Sequence, residues 1–175
     1  MSLEGRRVAV LAEEQYQELE FWYPVMRLRE EGADVVVAAP RTGYAYESFL
    51  GYPLLAEHSI EELDAERLDG VIVPGGAAGT RLQDSPAAIE LVRKLAERGA
   101  VTAAISTGGG VLARAGAVKG RRATGERSLE GQLSEAGATY VGDEEVVADG
   151  PVITSRAPDD LPSFFRSINQ ALQGK

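Results

Sequence analysis

The chain of 175 residues contains no cysteine and a single histidine, His58. The first absence excludes disulfides, thiolate metal ligation and thiol catalysis together. The second leaves too few imidazoles for a zinc site, so no cofactor or metal is expected. Lys and Arg number 18 against 27 Asp and Glu, a formal net charge of −9. No basic run offsets that balance, so nucleic acid is not an expected partner. No apolar stretch approaches the ~20 residues of a membrane span, and the first seven residues, Met-Ser-Leu-Glu-Gly-Arg-Arg, lack the apolar core of a secretory signal. A cytoplasmic protein without a membrane partner is the expectation. Repeats, low-complexity tracts and linker-like segments are also missing, which leaves residues 1–175 as one domain. At 44% hydrophobic, that length is enough to bury roughly 70% of the unfolded surface.

What is present is an alternation of apolar runs and helical patterns. Arg7 to Leu11, Val35 to Ala39, Gly70 to Val73 and the run from Val101 to Ile105 read as buried strands. Between them, Leu19 to Glu31 has helical spacing that stops at Gly32, with Pro24 inside it as a kink or a late start. Ser59-Ile-Glu-Glu62 has capping-box spacing for a short helix, and Ser85-Pro86 opens a helix reaching Arg98. Helices are also predicted over Val111–Ala115, Leu129–Ala136 and Pro158–Leu172, and a hairpin on Asp149-Gly150 over Val146–Ile153. The Gly- and Tyr-rich stretch from Thr42 to Tyr52 reads as a hairpin or an interface loop. This order predicts an α/β three-layer sandwich, a mostly parallel central sheet of flavodoxin-like type with helices on both faces. Ligands bind such sheets beyond the carboxyl ends of the strands, where the Pro74-Gly75-Gly76 turn and the Ser106 elbow would both lie.

The elbow is the most informative segment. Val101-Thr-Ala-Ala-Ile-Ser-Thr-Gly-Gly-Gly110 is a strand running into Ser106 and then into glycines that open a helix. Such a turn holds one side chain clear of the backbone and aims the following amides at whatever binds beside it. With Val8-Ala-Val-Leu-Ala12, Tyr23-Pro24, Leu28-Arg-Glu-Glu-Gly32, Asp69-Gly-Val-Ile-Val-Pro-Gly-Gly76, Ala115-Gly-Ala-Val-Lys-Gly-Arg121 and Ser155-Arg-Ala-Pro158, it gives the whole chain a resemblance to the ThiJ/PfpI family. The resemblance implies the class I glutamine-amidotransferase-like sandwich. The family's members include intracellular proteases or amidases, glyoxalases or deglycases, chaperones and stress proteins, and they commonly form dimers.

The family site is a cysteine on the elbow followed by histidine and glycine, with a glutamate from the loop after the first strand. Matched position by position, the resemblance puts Ser106 at the cysteine, Thr107 at the histidine and Gly108 at the glycine. Counted without gaps from Val8 and anchored on Tyr23-Pro24, it puts Gln17 at the glutamate; a one-residue slip would substitute Tyr16 or Glu18. Gly75 and Gly76 fall on the oxyanion turn, where their amides and that of Thr107 would hold a carboxylate or carbonyl oxygen. Neither Thr107 nor Gln17 accepts a proton, and nothing in the sequence places His58 near the elbow. Gln17 would instead offer a permanent amide donor to Ser106. The leading expectation is therefore a catalytically degenerate member binding a small polar or anionic ligand, or serving a stress or partner-binding role. The alternative is an amidase-like hydrolase with Ser106 as nucleophile and a base from Glu13, Glu14 or Glu18. Glyoxalase activity is expected to be absent. Tyr16, Phe21, Trp22 and Tyr23 read as core or as the interface of a homodimer or higher homo-oligomer, and Arg156 as a pocket residue or the partner of an acid.

Overall fold

The computed structural model describes residues 2–174, to which every structural count refers. β1 (Arg7–Leu11), α1 (Glu18–Glu30) and β2 (Asp34–Ala39) are followed by a small antiparallel hairpin, β3 (Ala45–Glu47) with β4 (Pro53–Leu55), and by the edge strand β5 (His58–Ser59). Next come β6 (Gly70–Val73), α2 (Ala77–Leu82), α3 (Pro86–Glu97), β7 (Val101–Ile105) and α4 (Gly109–Arg114). The chain finishes with β8 (Arg122–Ala123), α5 (Glu130–Glu135), β9 (Thr139–Tyr140), β10 (Val146–Asp149), β11 (Val152–Ser155) and α6 (Leu161–Leu172). Seven of these strands form one sheet in the order β10-β11-β7-β6-β1-β2-β5, parallel except where β10 runs against β11. That pairing is the hairpin predicted on Asp149-Gly150, with Asp149 opposite Val152 and Gly150 at φ +60°.

Two apolar layers sandwich the sheet because the strand residues alternate and both faces are apolar. Val8 and Val10 pack with Phe21, Val25 and Leu28 of α1 and with Phe164, Phe165 and Ile168 of α6. Ala9 and Leu11, on the opposite face, pack with Leu91, Val92 and Leu95 of α3, Val111 and Leu112 of α4 and Leu133 of α5. The period of two along β1 thus supplies both cores, the signature of a strand covered on each side. Helix starts follow the sequence signals: Ser85 Oγ accepts from Ala88 N at 3.3 Å, and Pro86 occupies the first turn. The capping box at Ser59 opens only a single 3₁₀ turn, Ile60–Glu62. Pro24 neither starts nor stops its helix; α1 begins at Glu18 and runs through it, with Pro24 buried. Among the described residues no helix is long and apolar enough to cross a membrane.

The parallel order brings three loops to one edge, those after β1, β6 and β7. They are joined there by backbone: Tyr16 makes isolated bridges to both Ser48 and Gly76, and Gln17 N donates to the Gly75 carbonyl at 3.3 Å.

Candidate functional site

Ser106 sits at the end of β7 with φ +56°, a left-handed conformation rare for a residue with a side chain. Strain of this kind, about 1–3 kcal/mol, persists where surrounding structure imposes it. Here the imposing contacts are close. Thr107 Oγ1 donates to the Gly76 carbonyl at 2.7 Å, and Gly108 lies so tight against the Val73 and Pro74 carbonyls that no Cβ would fit. Thr107 and Gly108 therefore hold the elbow onto the β6 turn. Gly76 itself requires glycine, with φ +75° and a Cβ that would lie 2.7 Å from the Gln15 carbonyl.

The acid beside Ser106 is Glu20, which the sequence motifs do not single out. Its side chain is buried, and Oε2 accepts from Gly75 N at 2.7 Å. A methyl group placed on Gly75 would lie 2.5 Å from Glu20 Oε2 and 2.8 Å from Ser106 Oγ. Carboxyl and hydroxyl thus converge over the one residue that has no side chain to separate them. Desolvation by burial pushes the Glu20 pKa up to about 7, aided by the charge of Glu126 and opposed by the Gly75 N–H bond.

Gln17 does not occupy this place. It is the N-cap of α1, its Oε1 accepts from Glu20 N at 2.8 Å, and among the described residues its amide makes no hydrogen bond to Ser106. The ungapped count reaches the cap, whose side chain turns back onto its own first helical turn. The residue three positions on faces the sheet. Glu20, Pro24 and Leu28 are all buried and share one stripe at helical spacing; a glutamate in register with a buried stripe is the available signal. A carboxylate was therefore not lost with the thiol and imidazole, and Gly75, expected to offer its amide to a ligand, gives it to Glu20.

A second carboxylate reaches Ser106 from the segment after β8. Ser106 Oγ donates to Glu126 Oε2 at 3.4 Å, a long bond, and Ser128 Oγ donates to Glu126 Oε1 at 3.1 Å. The three glutamates around the start of α1 look elsewhere. Glu13 Oε1 accepts from Glu14 N, Glu14 Oε1 from Glu47 N, and Glu18 Oε1 from Leu50 N. His58 lies on β5, with β2, β1 and β6 between it and β7. Its side chain is half-buried on an edge strand rather than free in a loop. Arg156 follows both alternatives left open by the sequence: Nε and Nη2 donate to Asp160 at 2.9 and 3.0 Å, and the residue also lines a cavity that includes Glu126. Behind the elbow, Gln83 Nε2 donates to the Thr107 carbonyl at 3.4 Å and its Oε1 accepts from Gln132 at 2.9 Å. Among the described residues no cluster of three His, Asp or Glu side chains is placed to hold a metal ion.

Known proteins share this architecture. The sequence model of the DJ-1/PfpI family matches residues 6–171. An uncharacterized protein of Archaeoglobus fulgidus is 42% identical over 171 residues, covering 95% of this chain and 98% of its own. A deglycase of Pyrococcus abyssi is 34% identical, covering 95% of this chain and 99% of its own. Among solved structures, DJ-1beta of Drosophila melanogaster superposes with a TM-score of 0.89 at 31% identity, covering 100% of this chain and 92% of that one.

Proposed function

Since the chain belongs to the DJ-1/PfpI family and sets a hydroxyl beside two carboxyl groups, we propose that it is a hydrolase of acyl compounds with Ser106 as nucleophile, Glu126 as base and Glu20 as acid. The observation that carries this reading is the convergence of Glu20 and Ser106 over Gly75. Two carboxyl groups in unlike environments divide the work: the buried one with a pKa near 7 holds a proton for release, while the exposed one receives the proton of Ser106.

In the first step the Ser106 Oγ–C bond forms, the carbonyl π pair moves to oxygen and the hydroxyl proton passes to Glu126. Collapse of that oxyanion breaks the bond to the leaving group, which takes the Glu20 proton. In the second step water attacks the acyl-serine and gives a proton to Glu20. Glu126 then returns its proton to Ser106 Oγ as the ester bond breaks. The Thr107 amide, at the first turn of the helical segment where N–H groups lack partners in their own helix, supplies the oxyanion donor that the Gly75 amide does not. A relative carries the name deglycase; without a thiol, this chain would handle such adducts only through the hydroxyl, and methylglyoxal turnover is expected to be absent.

A pocket that binds a small polar ligand without turnover is the second reading. The 3.4 Å separation between Ser106 and Glu126, long for a working proton transfer, favours it. A fluorophosphonate probe separates the two. Stoichiometric adduct on Ser106, lost in Ser106→Ala and slowed at least tenfold in Glu126→Gln, supports the hydrolase; no adduct over pH 5–9 leaves the binding pocket.

The assembly that fits this chain is a homodimer through the face of α1. Leu19 and Met26 there are more than half exposed, and with Trp22, Leu50 and Tyr52 they line a cavity of about 520 Å³. Phe49, 74% exposed, stands beside it. A knob next to a hole on one face is what a two-fold, self-complementary contact requires.

A further inference from the structure

A cavity of about 610 Å³, lined in part by Gly125, Glu126, Arg127 and Arg156, adjoins the elbow. Two observations tie it to Ser106: Glu126, on its wall, accepts the Ser106 hydroxyl at 3.4 Å, and Gly125, also on its wall, lies close enough that an added methyl group would come within 3.6 Å of the Ser106 carbonyl oxygen. Arg127 is exposed on this wall, and its guanidinium forms no ion pair or hydrogen bond among the described residues. Arg156, on the same cavity, commits Nε and Nη2 to Asp160, while Nη1 has only a 3.4 Å contact with the Asp143 carbonyl. Five donors on a guanidinium make such an unfilled edge a ready partner for a carboxylate. The wall also carries Glu126, Glu130 and Asp143. Three acids beside two cations disfavour a phosphate or any polyanion, while a single carboxylate can still reach the cationic edge.

We propose that this cavity is the substrate subsite and that it takes acyl compounds bearing one free carboxylate, such as dicarboxylic half-esters or half-amides, anchored by Arg127 and the open edge of Arg156. The reaction at Ser106 rests on the hydrolase reading; carboxylate capture does not, so the two can fail separately.

The binding arm uses Ser106→Ala protein, succinamate as the probe and neutral succinamide as its control, titrated calorimetrically at constant ionic strength. Succinamate is expected to bind at least tenfold more tightly than succinamide. Arg127→Gln is expected to erase that preference and Arg127→Lys to restore part of it. Equal binding of the two probes, or a preference untouched by Arg127→Gln, overturns the subsite. The kinetic arm compares 4-nitrophenyl hemisuccinate with 4-nitrophenyl butyrate on the unmodified protein. A kcat/KM ratio of at least ten that collapses toward one in Arg127→Gln supports the proposal. Turnover of both esters without preference overturns the subsite and leaves the hydrolase. Succinamate capture with neither ester cleaved supports the subsite and overturns the hydrolase.

Discussion

Glu20 concentrates the chemistry of the site in one side chain. Its pKa of about 7 in the folded protein, against 4.5 for the free group, means that folding favours the protonated form. The stability that follows is fully present below pH 4.5 and is lost as the pH rises through 7. Each tenfold change in proton affinity between the folded and unfolded chain is worth about 1.4 kcal/mol, so the loss approaches ~3 kcal/mol by pH 8. Glu20→Gln keeps an acceptor for Gly75 N and cannot ionise. Its stability in urea is expected to match the parent near pH 4 and to exceed it by about 2–3 kcal/mol at pH 8; parallel pH profiles would show that Glu20 ionises freely. The same variant is expected to lose 100-fold or more in amide hydrolysis, which needs a proton for its leaving group, and much less with a 4-nitrophenyl ester, which does not.

At the level of elements, the site is two turns pressed together, the one after β6 and the one after β7. Gly75 is where they meet. Gly75→Ala would put a methyl group within 2.7 Å of both Glu20 Oε2 and the Ser106 Cβ. It is expected to cost about 1–3 kcal/mol and to slow fluorophosphonate labelling of Ser106 at least tenfold; unchanged labelling would mean that acid and hydroxyl do not depend on this spacing. The elements themselves were largely legible. Ser85-Pro86 marked α3, Asp149-Gly150 marked the β10–β11 hairpin, and the apolar strand run into Ser106 marked the elbow, because each depends on local backbone chemistry. Glu20 was not legible from motif counting, since the tie between a helix and a turn 55 residues on is a tertiary fact. The partnership of Ser106 with Glu126 was hidden for the same reason. Gln17, polar and at the right count, was misread because a cap and a pocket residue look alike until the helix start is fixed.

Across the whole molecule, the sheet order sets what is inside and what is left uncovered. Of the aromatics that the sequence leaves open between core and interface, Tyr16 and Phe21 lie in the core, while Trp22 packs only partly against it. The face made by Leu19, Met26, Leu50 and Tyr52 remains apolar and open. Leu50→Glu, at a residue 80% exposed, is expected to shift the sedimentation of the protein from dimer to monomer with the melting temperature of the monomer preserved; a parent protein that sediments as monomer at 100 μM, a concentration about tenfold above a 10 μM dissociation constant, would remove the homodimer.

The bridging position of Tyr16 bears on how the molecule breathes. Its carbonyl accepts from Phe49 N at 3.0 Å in the outer hairpin, while its neighbour Gln17 N donates to the Gly75 carbonyl beneath the elbow. Both segments are therefore tied to the same peptide, the one between Tyr16 and Gln17. Amide hydrogens of Phe49 and Gln17 are expected to show the same opening free energy in hydrogen exchange, as one cooperative unit that joins the exposed loop to the turn under Ser106; clearly different protection of the two would separate them.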